Sequence, residues 1–199
     1  SPMPLDGLII TGAPVEHLPF EEVNYWKELV SLIEESKLKC ASTLGLCWAG
    51  FAMAYMAGVE KNIFNKKLFG VYPMRSLVPG HSLMGTQDDE FFCPQSRHAG
   101  LPDIEMEKAE KEGKLRLLAH GEKVGYTIFE TPDQRQLMHL GHPEYNVDRL
   151  KSEMDRDKKR GDVPPPENFD LTKSNTSWRS HRNLLFQQWL WFCYQRVSL

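Results

Sequence analysis

The sequence has no CxxC pair, no HExxH and no regular spacing among its four cysteines and seven histidines. A zinc-ligand framework is therefore unsupported, and no metal is expected. Cys40, Cys47, Cys93 and Cys193 do not form a disulfide framework in a chain of 199 residues. A reducing compartment fits better, and the cytoplasm is the expected location. The chain also lacks excess positive charge. Its net charge of -3 argues against a nucleic-acid partner held through backbone phosphates. No apolar run is long enough to span a bilayer and no signal-peptide pattern is visible, so no membrane role is expected. There is no Gly-rich phosphate loop, no internal repeat and no low-complexity tract.

What is there is ordinary for a globular chain: 41% hydrophobic and 26% charged residues. Ser1-Pro2 ahead of Met3 reads as a cloning remnant and is set aside. Leu8-Ile9-Ile10 reads as a strand buried on both faces, closed by Thr11-Gly12-Ala13-Pro14. Residues 21 to 37 carry apolar side chains at helical spacing. Ser42 to Leu46 predicts a strand, and Trp48 to Met56 a helix ended by Gly58. Lys67 to Tyr72 and Phe91 to Cys93 read as strands. Three more follow in succession at Leu115 to Ala119, Gly125 to Glu130 and Gln136 to Leu140. Val147 to Lys159 predicts an amphipathic helix, Val163 to Lys173 a proline-rich connection, and Trp178 to Arg196 a closing helix. Helices alternating with buried strands imply an α/β domain with a mostly parallel sheet, and the strand-rich middle implies a small antiparallel extension.

Within this frame, "STLGLCWAGFA" sets a thiol at a tight joint between strand and helix. A nucleophile elbow has this form, and its crowded backbone needs small neighbours such as Gly45 and Ala49. The helix N-terminus favours thiolate over thiol, lowering a pKa ordinarily near ~8.5. The Trp48 N–H would face a forming oxyanion. By itself the stretch reads equally as a buried structural cysteine. The second constellation is "GHPEY". Pro143 is expected to hold His142 extended, so that Glu144, two residues on, points the same way and supports it. Cysteine, histidine and carboxylate together make a nucleophilic triad.

These stretches fall in the order found in class I glutamine amidotransferase-like proteins, whose fold is flavodoxin-like. "DGLIITGAPVE", "EEVNYWKEL", "STLGLCWA", "KLFGVY", "SRH", "GHPEY" and "NTSWRSHRNLLFQQWLWFCYQ" more closely resemble the homoserine O-succinyltransferase/O-acetyltransferase family. The resemblance runs over nearly the whole chain. It implies acyl transfer from an acyl-CoA to the homoserine hydroxyl by ping-pong chemistry, feeding methionine synthesis. It makes Cys47 the nucleophile, His142 the base and Glu144 its support. It places Lys67, Ser96 and Arg156 at the substrate, with Arg156 gripping the amino acid's carboxylate. It makes Glu16 the residue that selects acetyl-CoA over succinyl-CoA, because a glutamate repels a succinyl tail. No cofactor is implied beyond the acyl-CoA co-substrate.

The chain departs from the family pattern in four ways. The segment that normally precedes "DGLIITG" is missing, so the expectation is one acyltransferase domain over residues 4–199 without that strand and helix. Exposed strand edges would then favour a homodimer. Phe51 stands where a glutamine often follows the cysteine, Gln95 stands where a histidine often precedes "SR", and the loop after Gly58 is one residue shorter. Serine therefore competes with homoserine as acceptor, since one methylene is worth only ~1–3 kcal/mol of discrimination. A glutamine amidotransferase-like hydrolase and an inactive binding homologue are the rival readings.

Overall fold

The computed structural model describes residues 5–84, 86–159, 165–170, 172–173 and 175–197. Ser1, Pro2, Val163 and Pro164, which figured in the readings above, lie outside the described residues. Seven strands form one sheet: β1 (Leu5–Ile10), β2 (Cys40–Leu46), β3 (Asn62–Ser76), β4 (Glu90–Gly100), β5 (Arg116–Gly121), β6 (Gly125–Glu130) and β7 (Gln136–His139). Their order across the sheet is β1-β2-β7-β6-β5-β3-β4. The helices are α1 (Trp26–Lys39), α2 (Trp48–Met56), α3 (Asp103–Lys111), α4 (Val147–Lys158) and α5 (Arg179–Val197).

The α/β class is as the sequence implies, but the balance within the sheet differs. β1, β2 and β7 pair in parallel. The other four ladders are antiparallel, so that extension is not small. The longest pairing joins β3 to β4, of which the sequence reading caught only Lys67 to Tyr72 and Phe91 to Cys93. β1 is also not buried on both faces: it is an edge strand among the described residues, with Leu5 and Ile9 exposed.

Strand alternation sends successive side chains to opposite faces. Leu117, Phe129 and Met138 join a core with Ile33, Phe51, Met53 and Met106, on the side of α1, α2 and α3. Their neighbours Leu118, Ile128 and Leu137 join a second core with Leu44, Leu46, Leu185 and Trp189, on the side of α5. A third cluster packs α4 through Leu150 and Met154 against Phe69, Val71 and Trp178.

The helix expected from Glu21 starts later. Phe20–Glu22 forms one 3-10 turn, Val23 is extended, and α1 begins at Trp26. The break lets Phe20 turn inward against Trp26, Trp48 and Tyr55. α3 was not foreseen, because it buries only Met106 and Ala109 along nine residues. No helix of the described residues is long and apolar enough to cross a membrane.

Candidate active site

The three parallel strands end at one edge of the sheet, where α/β folds build their sites. β1 runs into the loop 11–16, β2 into Cys47, and β7 into the loop bearing His142. Cys47 has φ 50 and ψ -117, a conformation a non-glycine residue rarely adopts. Its N–H donates to His139 O at 2.9 Å, and its carbonyl accepts from Phe51 N at 3.2 Å. α2 lies so close to β2 that a Cβ at Gly45 would meet Met53 Sδ at 2.7 Å and Gly50 N at 3.2 Å. The small neighbours the elbow needs are therefore Gly45 and Gly50, with Gly12 pressed against Cys47 from the facing loop. Trp48 opens α2, and its indole is buried.

His142 Nδ1 meets Glu144 Oε1 at 2.6 Å. The pair forms, but not through an extended chain. Tyr145 N donates to His142 O at 3.1 Å, so residues 142–145 make a turn with Pro143 at its first central position. That turn also stacks Tyr145 on the imidazole, 4.1 Å between centroids. His142 N donates to Pro94 O at 2.8 Å, tying the loop to β4. Burial of His142 opposes its charging. The Cys47 sulfur and the Glu144 carboxylate, both hydrogen-bond partners of the ring, outweigh this and raise its pKa to about 10.

A cavity of about 680 Å³ opens beside Cys47, lined by Glu16, Lys67, Ser96, His142, Glu144 and Arg156 among others. All the side chains read from the sequence are therefore brought together, apart from Trp48. Glu16 Oε1 lies 4.0 Å from Cys47 Sγ, and Oε2 accepts from His98 N at 3.0 Å. Lys61 Nζ donates to Glu16 O at 2.6 Å and holds the loop from behind.

The far wall contains residues that sequence reasoning missed. Lys67 Nζ bridges Glu153 Oε1 at 2.8 Å and Asp157 Oδ2 at 2.7 Å. Ser96 Oγ donates to Glu153 Oε1 at 2.6 Å. Arg156, read as a carboxylate grip, also binds Glu153 and Asp157, at 2.9 and 2.8 Å. Arg149 lies over the Tyr145 ring, 5.4 Å from its centroid. Burial would raise the Glu153 pKa, but Lys67 and Ser96 prevail and bring it down to about 2. Its Oε2 is buried with no short hydrogen bond among the described residues. The signal available for Glu153 and Asp157 was their place one turn from Leu150 and Met154 on α4.

Cys93, His139 and His181 also converge, and all three are buried. Gly141 N donates to His139 Nδ1 at 3.0 Å, which leaves the ring proton on Nε2, 3.4 Å from His181 Nε2. His181 Nδ1 in turn pairs with Gln87 Oε1. Burial lowers the pKa of both rings, His139 well below its usual value and His181 to about 3. The polarity of these bonds suits two neutral imidazoles, and a cation on both Nε2 atoms would have to displace the His139 proton.

Known proteins with the same architecture include a glutamine amidotransferase from Thermotoga maritima, with a TM-score of 0.66 at 14% identity over 96% of this chain and 78% of that one. Such a likeness concerns the fold alone. Homoserine O-acetyltransferase of Bacillus cereus (strain AH820) is 42% identical, covering 96% of this chain and 65% of the relative. Homoserine O-acetyltransferase of Agathobacter rectalis is 40% identical, covering 96% of this chain and 64% of the relative. The chain thus spans slightly less than two thirds of the length of these relatives. Residues 2–199 match the family described as homoserine O-succinyltransferase. By that match, and with the elbow, turn and cavity assembled as above, the chain belongs to the homoserine O-succinyltransferase family.

Proposed function

We propose that the chain transfers an acetyl group from acetyl-CoA to the hydroxyl of homoserine through a thioester on Cys47. One observation carries the reading: a thiol on a strained elbow, paired with His142, faces a cavity whose far wall holds buried Lys67, Glu153 and Arg156. In the first half-reaction the Cys47 thiolate attacks the thioester carbonyl. The new C–S bond forms, the Trp48 N–H receives the oxyanion, and the CoA sulfur leaves with the proton from His142. In the second, His142 takes the proton of the acceptor hydroxyl as its oxygen attacks. The C–O bond forms, and the bond to Cys47 breaks. Glu144 stabilises the imidazolium in both.

The far wall suits an amino acid. The buried Oε2 of Glu153 would take the ammonium, and Arg156, on release from its pairs with Glu153 and Asp157 of the same helix, the carboxylate. Ser96 and Lys67 fix Glu153. O-acetylhomoserine formed in this way would enter methionine synthesis in the cytoplasm.

The test is intact-protein mass spectrometry with acetyl-CoA or succinyl-CoA, followed by homoserine, serine or glutamine. An acetyl adduct at Cys47, discharged by homoserine, is expected. Discharge by serine alone would reassign the acceptor, and no adduct from either donor would sink the reading. Glu16 supports acetyl as the donor, since a succinyl carboxylate near its Oε1 would meet a like charge at the nucleophile. At about 4 Å that repulsion is worth ~1–4 kcal/mol. Glu16→Gly is therefore expected to raise the rate of succinyl adduct formation tenfold or more relative to acetyl. An unchanged donor ratio in single-turnover measurements would assign specificity elsewhere.

A further inference from the structure

The face of α4 that meets the cavity carries Arg149, Glu153 and Arg156, four and three residues apart and so one above another on the helix. Two of the three are committed. Glu153 Oε1 accepts from Lys67, Ser96 and Arg156. Arg156 binds Glu153 and Asp157, and Lys67 bridges the same two acids. The charges of that group cancel. Arg149 is placed differently. It lines the cavity and is exposed at its mouth, and among the described residues no carboxylate stands within ion-pair distance of it.

Its surroundings hold it near the base. Asn146 caps α4 by accepting from Arg149 N at 2.8 Å. The guanidinium carbon lies 5.4 Å from the centroid of the Tyr145 ring. That ring is stacked on His142, 4.1 Å between centroids and 19° between planes. Tyr145 is itself buried, its carbonyl accepting from Trp178 Nε1 at 2.8 Å. Contacts therefore run from the spare cation through Tyr145 to His142, over a span that a small amino acid bridges. A homoserine hydroxyl on His142 sets its carboxylate about 5 Å away, through bonds of ~1.5 Å.

The same molecule meets Glu153. Its Oε2 is buried with no short hydrogen bond among the described residues, and a bare buried carboxylate oxygen is costly. In an α-amino acid the ammonium and the carboxylate leave one carbon. An ammonium on Glu153 Oε2 therefore puts the carboxylate within a turn of α4. On one side stands Arg156, which must break two pairs beside buried acids to reach it. On the other stands Arg149, which breaks none.

We propose that Arg149 is a substrate-binding residue that takes the acceptor's carboxylate while Arg156 still holds its two acids. This rests on the reading of the cavity as the site of acyl transfer to an amino acid. The test separates the half-reactions by intact-protein mass spectrometry: loading of Cys47 from acetyl-CoA, then discharge against homoserine concentration. A wild-type protein that is not loaded, or whose adduct homoserine leaves in place, would remove that reading and this inference with it. With the wild type active, Arg149→Met keeps an apolar stem beside Tyr145 and loses the charge. It is expected to load at the wild-type rate and to need about tenfold more homoserine, or above, for half-maximal discharge. Arg149→Lys is expected to fall between the two, since an ammonium keeps the charge but not the fork. With homoserinol, whose hydroxymethyl group replaces the carboxylate, wild type and Arg149→Met are expected to discharge alike. An unmoved homoserine requirement in Arg149→Met overturns the proposal. So does slowed loading or an equal loss with homoserinol, either of which would mean that Arg149 acts only by supporting Tyr145 and His142. If Arg149→Met does not fold, Arg149→Gln is measured instead, and loss of fold in both assigns Arg149 to stability and also overturns the proposal.

Discussion

Cys47→Ala is expected to abolish the acyl adduct and to lower turnover by ~10³-fold or more, while leaving the chain folded. Covalent catalysis divides the transfer into two thioester-linked steps, and alanine has no group to carry the acyl chain between them. Residual rate would come only from bringing donor and acceptor together in the cavity. The fold should survive because alanine is smaller than cysteine and the elbow is held from outside, by His139 O on one side and Phe51 N on the other. The check is steady-state turnover beside intact mass and a melting curve. Wild-type turnover in the alanine variant would contradict covalent transfer, and an adduct persisting at another cysteine would place the nucleophile elsewhere. Cys40, Cys93 and Cys193 are all buried, and none of them lines the cavity.

His142→Gln is expected to lower the rate by ~10²–10⁴-fold, the usual range for removing a general base. Both half-reactions should suffer, and they should respond differently to pH. In the wild type His142, its pKa raised to about 10 by the Cys47 sulfur and the Glu144 carboxylate against the effect of burial, is an imidazolium at neutral pH. Without it, adduct formation should climb as pH rises through the thiol's own titration, partly recovering in alkali. Adduct discharge by homoserine should recover far less, because an alcohol is not ionised in that range. Single-turnover rates for the two halves, measured separately, test this. Equal recovery of both would mean that His142 does not deprotonate the acceptor. Glutamine is preferred to alanine because its side-chain amide can still hydrogen-bond to Glu144, while the backbone bond to Pro94 O is kept with either residue.

The features easiest to read from the sequence were those written in consecutive residues. A strand, a cysteine and a helix follow one another directly in the sequence, and α2 runs from Trp48 to Met56 as expected. His142 and Glu144 were found together, but for the wrong reason, because a proline-containing turn brings them into contact. The far wall was hidden by its polarity. Glu153 and Asp157 are acids on a helix with basic neighbours, and in sequence they look like a solvated face. They are buried because Lys67 reaches them from β3, across 86 and 90 residues of chain. The same applies to β4. Its "PQSRH" segment is polar and so was not read as a strand, although its side chains are almost entirely buried. Pairing of β3 with β4 over so many residues depends on contacts distant in sequence, which local pattern cannot supply.

The positive φ of Cys47 also bears on how a substrate-bound form could be captured. Serine or alanine at this position inherits the strained backbone, since each carries a Cβ. Glycine tolerates the conformation freely. Such backbone strain is worth roughly 1–3 kcal/mol, part of which glycine's greater unfolded-state entropy takes back. Cys47→Gly is accordingly expected to melt above Cys47→Ala despite losing a buried methyl group, and a lower melting temperature would show that the surrounding hydrogen bonds carry no strain. An inert protein that is sturdier than its alanine counterpart, with extra room where the sulfur stood, is the form best suited to trapping both substrates at once.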